Sequence, residues 1–205
     1  MNVKIFIVTA GLVARLSVQT AVAGTIQDVQ TASDKADHAT ALEPIRLLAE
    51  KGNADAQYYL GARYSSGQGV SLDHVEAAKW YRLAANQGLA QAQSDLGDLY
   101  KSGLGLPQDF TEAAKWYRLA AIQGDAYAQY LLGFMYRSGY GVPQDLVQAH
   151  QWVNLADMNG YFAAKGLRDV VSKEMTSVQI AEAQRLAREW LAAHPQKWVS
   201  GCIGD

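Results

Sequence analysis

Apolar and polar positions along this chain recur with a period of 36 residues. Ala56-Gln57-Tyr58-Tyr59-Leu60-Gly61 returns as Ala92-Gln93-Ser94-Asp95-Leu96-Gly97 and again as Ala128-Gln129-Tyr130-Leu131-Leu132-Gly133. Within the first block Ala56, Leu60, Gly61 and Tyr64 fall at i, i+4, i+5 and i+8, which is one face of an α-helix. A second helical pattern follows, in which Ala77, Ala78, Trp80, Tyr81, Ala84 and Ala85 make a face of small residues interrupted by large aromatics. Its tryptophans keep step as Trp80, Trp116 and Trp152, and the central Trp116, with a unit on either side, is expected to be the most costly of the three to remove. A fixed period of about 20 to 50 residues is the signature of a solenoid, in which each unit buries its apolar face against its neighbours. The pattern predicts an all-α array of helix-turn-helix units.

The punctuation repeats as well. Asp73-His74-Val75-Glu76, Asp109-Phe110-Thr111-Glu112 and Asp145-Leu146-Val147-Gln148 place an acidic residue three positions before Glu or Gln, the spacing of a reciprocal capping box at the start of the second helix. Gly88, Gly124 and Gly160 follow its last turn and suit a left-handed closing residue. Between the helices run Ser66-Gly67-Gln68-Gly69-Val70, Ser102-Gly103-Leu104-Gly105-Leu106 and Ser138-Gly139-Tyr140-Gly141-Val142, loops reinforced by Pro107 and Pro143. These Gly-x-Gly runs are turns and not phosphate cradles, because no strand precedes them and the third glycine of the dinucleotide fingerprint is missing. Gly61, Gly97 and Gly133 lie inside the first helix, where glycine costs roughly 1 kcal/mol relative to alanine, so a partner helix is expected to come too close there for a side chain.

Taken together, Leu60-Gly61-x-x-Tyr64, the long Gly-x-Gly loop and Glu76-Ala77-Ala78-Lys79-Trp80-Tyr81-Arg82-Leu83-Ala84-Ala85 closely resemble the Sel-one-like repeat family, long-loop relatives of tetratricopeptide repeats. The resemblance implies a right-handed α-solenoid over residues 41–195. Residues 41–52 match a second helix alone and read as an amino-terminal half-repeat cap; 54–88, 90–124 and 126–160 are full repeats; 161–195 read as a degenerate carboxyl-terminal repeat that closes the array, with Thr176-Ser177-Val178-Gln179 as its capping box. The resemblance further implies an adaptor that holds partner proteins, in envelope signalling or host contact for exported bacterial members. An exported, cysteine-rich branch of the family ties each helix pair with a disulfide. This chain lacks those cysteines.

The ends of the chain add a location. Met1-Asn2-Val3-Lys4, the apolar run from Ile5 to Ala14 and Ala21-Val22-Ala23 read as a secretory signal peptide over residues 1–23, with cleavage expected near Gly24 and a periplasmic or secreted product. The run is too short for a stable membrane span. Residues 24–40 read as a flexible polar arm and 196–205 as a tail. Removal of Lys4 and Arg15 takes 18 basic residues to 16 against 20 acids, a net charge of -4, which offers nothing to nucleic acid. Cys202 is the single cysteine, so only an intermolecular disulfide is open to it.

The chain carries no catalytic motif, and no cofactor or metal is expected. His38, His74, His150 and His194 are scattered and lack metal-ligand spacing. Some relatives resemble weak penicillin-binding or β-lactam-hydrolysing proteins, which leaves an envelope enzyme or peptidoglycan ligand-binding protein as one alternative and a structural assembly subunit as another. Neither Ser-x-x-Lys nor Lys-Thr-Gly is present for the first. Recognition of a protein or peptide on the concave groove is the leading expectation. If the first helices line that groove, Tyr58, Asp98, Lys101, Tyr127, Tyr130, Phe134 and Arg137 point outward from the Leu-Gly core and form the expected partner-binding set. The third repeat is richest, with an aromatic and cationic patch where the second has Gln91, Ser94, Asp98 and Lys101.

Overall fold

The computed structural model describes residues 42–195. The segments expected to form a signal peptide, a polar arm and a tail, with His38 and Cys202, lie outside the described residues. Helices follow one another along the chain as α1 (Leu42–Glu50), α2 (Ala54–Ser66), α3 (His74–Asn86), α4 (Ala90–Ser102), α5 (Phe110–Ile122), α6 (Ala126–Ser138), α7 (Leu146–Met158), α8 (Ala164–Lys173) and α9 (Ser177–Ala193). The pairs α2/α3, α4/α5 and α6/α7 pack most extensively, and each second helix also packs on the next first helix. The fold is an all-α solenoid.

Each pair closes on a glycine in mid-helix. A Cβ at Gly61 would sit 2.7 Å from the Tyr81 ring, at Gly97 2.7 Å from the Tyr117 ring, and at Gly133 2.4 Å from Val153 Cγ2. The close approach expected from the sequence is present in all three repeats, and it puts Tyr81, Tyr117 and Val153 at 4%, 0% and 0% exposure. The long loops tie one repeat to the one before. Gly105 has a φ of +70° and its absent Cβ would lie 2.3 Å from the His74 carbonyl; Gly141, at +68°, would clash with the Phe110 carbonyl at 2.1 Å. Both the left-handed backbone and the missing side chain are needed there.

Two ladders join successive repeats. Gln57, Gln93 and Gln129, buried in α2, α4 and α6, donate to the carbonyls of Ala49, Ala85 and Ala121 at 3.0 to 3.1 Å. Their amide oxygens accept from Gln87, Gln123 and Asn159 at 2.7 to 2.8 Å. Each buried amide is thereby satisfied at both ends, which is the condition for keeping it in the core. The second ladder pairs Arg46 with Tyr64, Arg82 with Tyr100 and Arg118 with Tyr136. In the next register positions stand Asn154 and Ser172, and the array changes character.

Helix starts follow the caps only in part. Asp73 accepts from the amides of Val75 and Glu76 in the first turn of α3, and Asp109 from those of Thr111 and Glu112 in the first turn of α5, but Glu76 and Glu112 do not return the bond. Their carboxylates pair instead with Lys79 and Lys115 one turn on, an i,i+3 contact that competes with the box. Thr176 and Gln179 alone form both halves.

At the carboxyl-terminal end α9 packs mainly on α7, and not as an antiparallel pair with α8. It contributes Ala187, Trp190 and Leu191 to the cluster that holds Trp152 and Leu155. This alters the ranking of the tryptophans. Trp152 is 7% exposed and lies 6.2 Å from Trp190, whereas Trp80 and Trp116 are half-buried and the indole nitrogen of Trp116 is without a hydrogen-bond partner. Trp116 is central in sequence but not the most enclosed, because α9 covers Trp152 with Ala187, Trp190 and Leu191 and has no counterpart over Trp116. Trp152→Ala is therefore expected to destabilise by about 3 to 5 kcal/mol, and Trp80→Ala or Trp116→Ala by less, in denaturant melts of the three variants.

Candidate first-helix recognition face

The central first helix, α4, carries acids where its neighbours do not. Asp95 occupies the place of Tyr59 and Leu131, and Asp98 that of Ala62 and Phe134. Four tyrosines from four other helices converge on these two carboxylates. Tyr58 of α2 and Tyr81 of α3 hydrogen-bond to Asp95. Tyr117 of α5 donates to Asp98 Oδ1 at 2.7 Å, and Tyr127 of α6 donates to Oδ2 at 2.9 Å. Lys101 Nζ completes the set 2.6 Å from Asp98 Oδ1 and 5.8 Å from the Tyr117 ring centroid. The glycine contacts explain the geometry: with Tyr81 and Tyr117 laid against Gly61 and Gly97, their phenols emerge beside α4.

The carboxylates lie close enough to interact. Burial and the negative charge of Asp98 push the Asp95 carboxyl up to about 6, while the Tyr58 and Tyr81 phenols pull in the opposite direction. The phenols of Tyr58, Tyr81, Tyr117 and Tyr127 are all raised, by burial first and then by the adjacent aspartates. They remain neutral donors at any physiological pH. Beside the pair opens a cavity of about 240 Å³, lined by Ser65, Tyr81, Asp95, Asp98, Leu99, Ser102 and Leu104.

The aromatic residues of the third repeat stand next to this strip. Tyr127 and Tyr130 flank Tyr161, with centroids 5.8 and 4.9 Å away. Phe134 faces Tyr140 at 6.1 Å. Arg137 reaches across to Glu174, with Nε and Nη2 at 3.0 and 2.6 Å from one carboxylate oxygen. The expected set thus divides: Tyr58, Asp98, Lys101 and Tyr127 meet around the aspartates, Tyr130 and Arg137 pack toward the α8 side, and Phe134 packs on Tyr140 of the α6–α7 loop. Asp95, Tyr81 and Tyr117 complete the first group without belonging to the expected set. The signal for Asp95 is in the alignment of repeats, as an acid at an otherwise uncharged position; the tyrosines read as core and are core, with only their hydroxyls reaching the face.

His150, at 3% exposure, is held neutral by burial and by Arg168, and its Nδ1 is without a hydrogen-bond partner. Among the described residues no group of three or more His, Cys, Asp or Glu is placed to hold a metal ion, and no helix is long and apolar enough to cross a membrane.

The Sel1 repeat pattern matches residues 54–89, 90–125 and 126–161. Among solved structures, the chain is similar to c5321, described as a protective antigen present in uropathogenic Escherichia coli strains and displaying an SLR fold. The identity is 32% and the TM-score 0.59, over 77% of this chain and 42% of that one. The present chain therefore spans less than half the length of the E. coli protein. It is also similar to a Sel1 repeat protein from Oxalobacter formigenes, at 38% identity and a TM-score of 0.58, over 62% of this chain and 96% of the other. Among curated proteins none matches the chain.

A buried carboxyl with a raised pKa gives a signed pH dependence. Because the folded value of about 6 exceeds the ordinary 3.8, the contribution of Asp95 to stability is fully present below about pH 4 and is lost as pH rises through 6. Asp95→Asn, which keeps an acceptor for one phenol, is expected to flatten the stability profile between these values and to raise stability at pH 7 by roughly 1 to 3 kcal/mol, read from urea melts across pH. The three repeats and the two solved relatives, at the identities given, settle the assignment: the chain belongs to the Sel1 repeat family, whose members serve generally as protein-interaction scaffolds.

Proposed function

We propose that this protein is an exported adaptor, periplasmic or secreted, that holds a basic segment of a partner protein on its first-helix face and acts by binding, without chemistry of its own. The observation that carries the reading is the pair Asp95 and Asp98 at the centre of that face, beside an open cavity and between the aromatic groups of the first and third repeats. Lys101 on Asp98 illustrates the chemistry, since an ammonium against a carboxylate and over a tyrosine ring gains from both charge and the ring's quadrupole. A lysine or arginine of a partner meets the same groups from outside. Tyr58, Tyr127, Tyr130 and Phe134 supply contact area on either side, and Arg137, held by Glu174, is offered to a carboxylate farther along the segment. Export rests on the amino-terminal pattern ending at Ala21-Val22-Ala23, and a host-contact role is supported by the likeness to a protein described as a protective antigen.

A synthetic peptide with lysines flanking an aromatic residue is expected to bind the protein saturably in fluorescence anisotropy at pH 7.5, and its glutamate counterpart is not. The double change Asp95→Asn with Asp98→Asn should weaken the basic peptide by about tenfold or more while the helical circular dichroism stays. Equal binding of both peptides, or an affinity that the double change leaves alone, contradicts the reading. Mass spectrometry of the protein from its native host should place the amino terminus near Gly24.

A further inference from the structure

A second face differs from the first in chemistry and is already used once by the chain itself. Leu47, Leu83 and Leu119 recur at 36-residue spacing on the second helices and are 44%, 47% and 46% exposed. Leu119 is two residues on from Tyr117, so it lies on the opposite side of α5 from the acidic strip. The fourth member of the row, Leu155, is 0% exposed. The difference is α9, which lies on α7 and covers Leu155 with Ala187, Trp190 and Leu191. The neighbouring position changes with it: Gln151 is 7% exposed under α9, where its counterpart Lys115 is open to solvent.

The chain thus displays how this row receives a helix. Ala183 and Ala187, four residues apart and buried, let α9 approach α7 closely, and Trp190 adds a large apolar side chain one turn further on. One repeat back the same place stands open as a cavity of about 350 Å³, lined by Ala114, Lys115, Arg118, Leu119, Gly141 and Val142 beside Thr111. Its border is cationic. Lys115 and Arg118 stand where the covered site has Gln151 and Asn154. Glu112 offsets Lys115, and Arg118 rests on the neutral Tyr136 phenol, so the rim keeps a net positive charge.

We propose that the open face over Leu119 is a second docking site, which takes an amphipathic helix of another protein: small residues at i and i+4 against α5, one large apolar side chain in the cavity, and flanking carboxylates toward Lys115 and Arg118. The site is continuous with the α7/α9 interface, which supplies the precedent for a helix, and the charge of its rim selects the acidic flanks. The α9 helix of a second copy is a poorer occupant, because its apolar face is already committed to α7 and its acids Glu182 and Glu189 are paired with its own Arg185. With a basic segment on the first-helix face and an acidic helix here, the chain bridges two partners.

The test uses the intact chain and two fluorescein-labelled synthetic helices of about 18 residues, which share an Ala-x-x-x-Ala face with one tryptophan and differ in carrying glutamate or lysine at the flanks. The glutamate helix is expected to bind saturably, with NMR amide shifts centred on residues 111–119 and 139–143. Leu119→Gln should weaken it by about tenfold or more, and the double change Lys115→Glu with Arg118→Glu should reverse the preference between the two helices. If Leu119→Gln lowers the melting temperature, the charge reversal at two exposed positions decides the matter alone. Equal affinity for both helices, shifts centred on α4, displacement of α9, or a preference that the charge reversal leaves in place overturns the proposal.

Discussion

In the middle of each first helix a glycine takes a side chain of the second helix against bare backbone: Tyr81 on Gly61, Tyr117 on Gly97 and Val153 on Gly133. The glycine costs the helix roughly 1 kcal/mol relative to alanine, and burial of a large side chain, worth about 1.5 to 3 kcal/mol, more than offsets it. That contact sets the spacing within the pair and therefore the position of everything on its outer surfaces. It also aims the two phenols. Once a ring lies flat on the glycine, its hydroxyl has nowhere to go but the first-helix face, where Asp95 and Asp98 receive it. The same contact that closes the core builds the polar centre of the recognition face. In the third repeat valine replaces tyrosine, the phenol is lost, and the face turns aromatic instead.

Between repeats the structure relies on directional bonds. A buried glutamine amide has more hydrogen-bonding capacity than an apolar neighbour can satisfy, so Gln57, Gln93 and Gln129 fix both the carbonyl they donate to and the side chain they accept from. Slipping one unit against the next would leave the donor end unmet, since the carbonyl it reaches belongs to the preceding unit. The loop glycines add a steric limit, since Gly105 and Gly141 lie against the backbone of the preceding unit. Where the Arg–Tyr pairing lapses at Asn154 and Ser172, α9 departs from the repeat and covers the outer side of α7.

The repeat was legible in the sequence because period, glycine and loop are local signals that recur in register. The mid-helix glycines even announced the close approach. What the chain did not announce were bonds between residues about 20 to 40 positions apart that belong to different helices, because a linear pattern records faces and not partners. Asp98 and Tyr127 were both visible as outward positions, yet nothing in the spacing says that one receives the other's hydroxyl. Arg137 read as a free cation for the same reason; Glu174, its partner, comes from the degenerate final unit. Trp152 and Trp116 hold the same register position in the repeat and differ in burial, because the helix that covers one of them leaves the register of the repeat.

The two faces that result are chemically distinct. One offers carboxylates among phenols and aromatic rings, the other leucines bordered by cations. The account rests on the glycine, the tyrosine and the aspartate acting as one unit, and the carboxyl of Asp95 reports on all three. Its titration by carbon NMR in the intact chain and in Tyr81→Phe measures that directly. The account predicts a midpoint near 6 in the native chain and a higher one in Tyr81→Phe, where a hydrogen bond to the ionised form is gone. A midpoint near 4 in both would show that Asp95 is solvated and unheld, and that the glycine contact does not build the face.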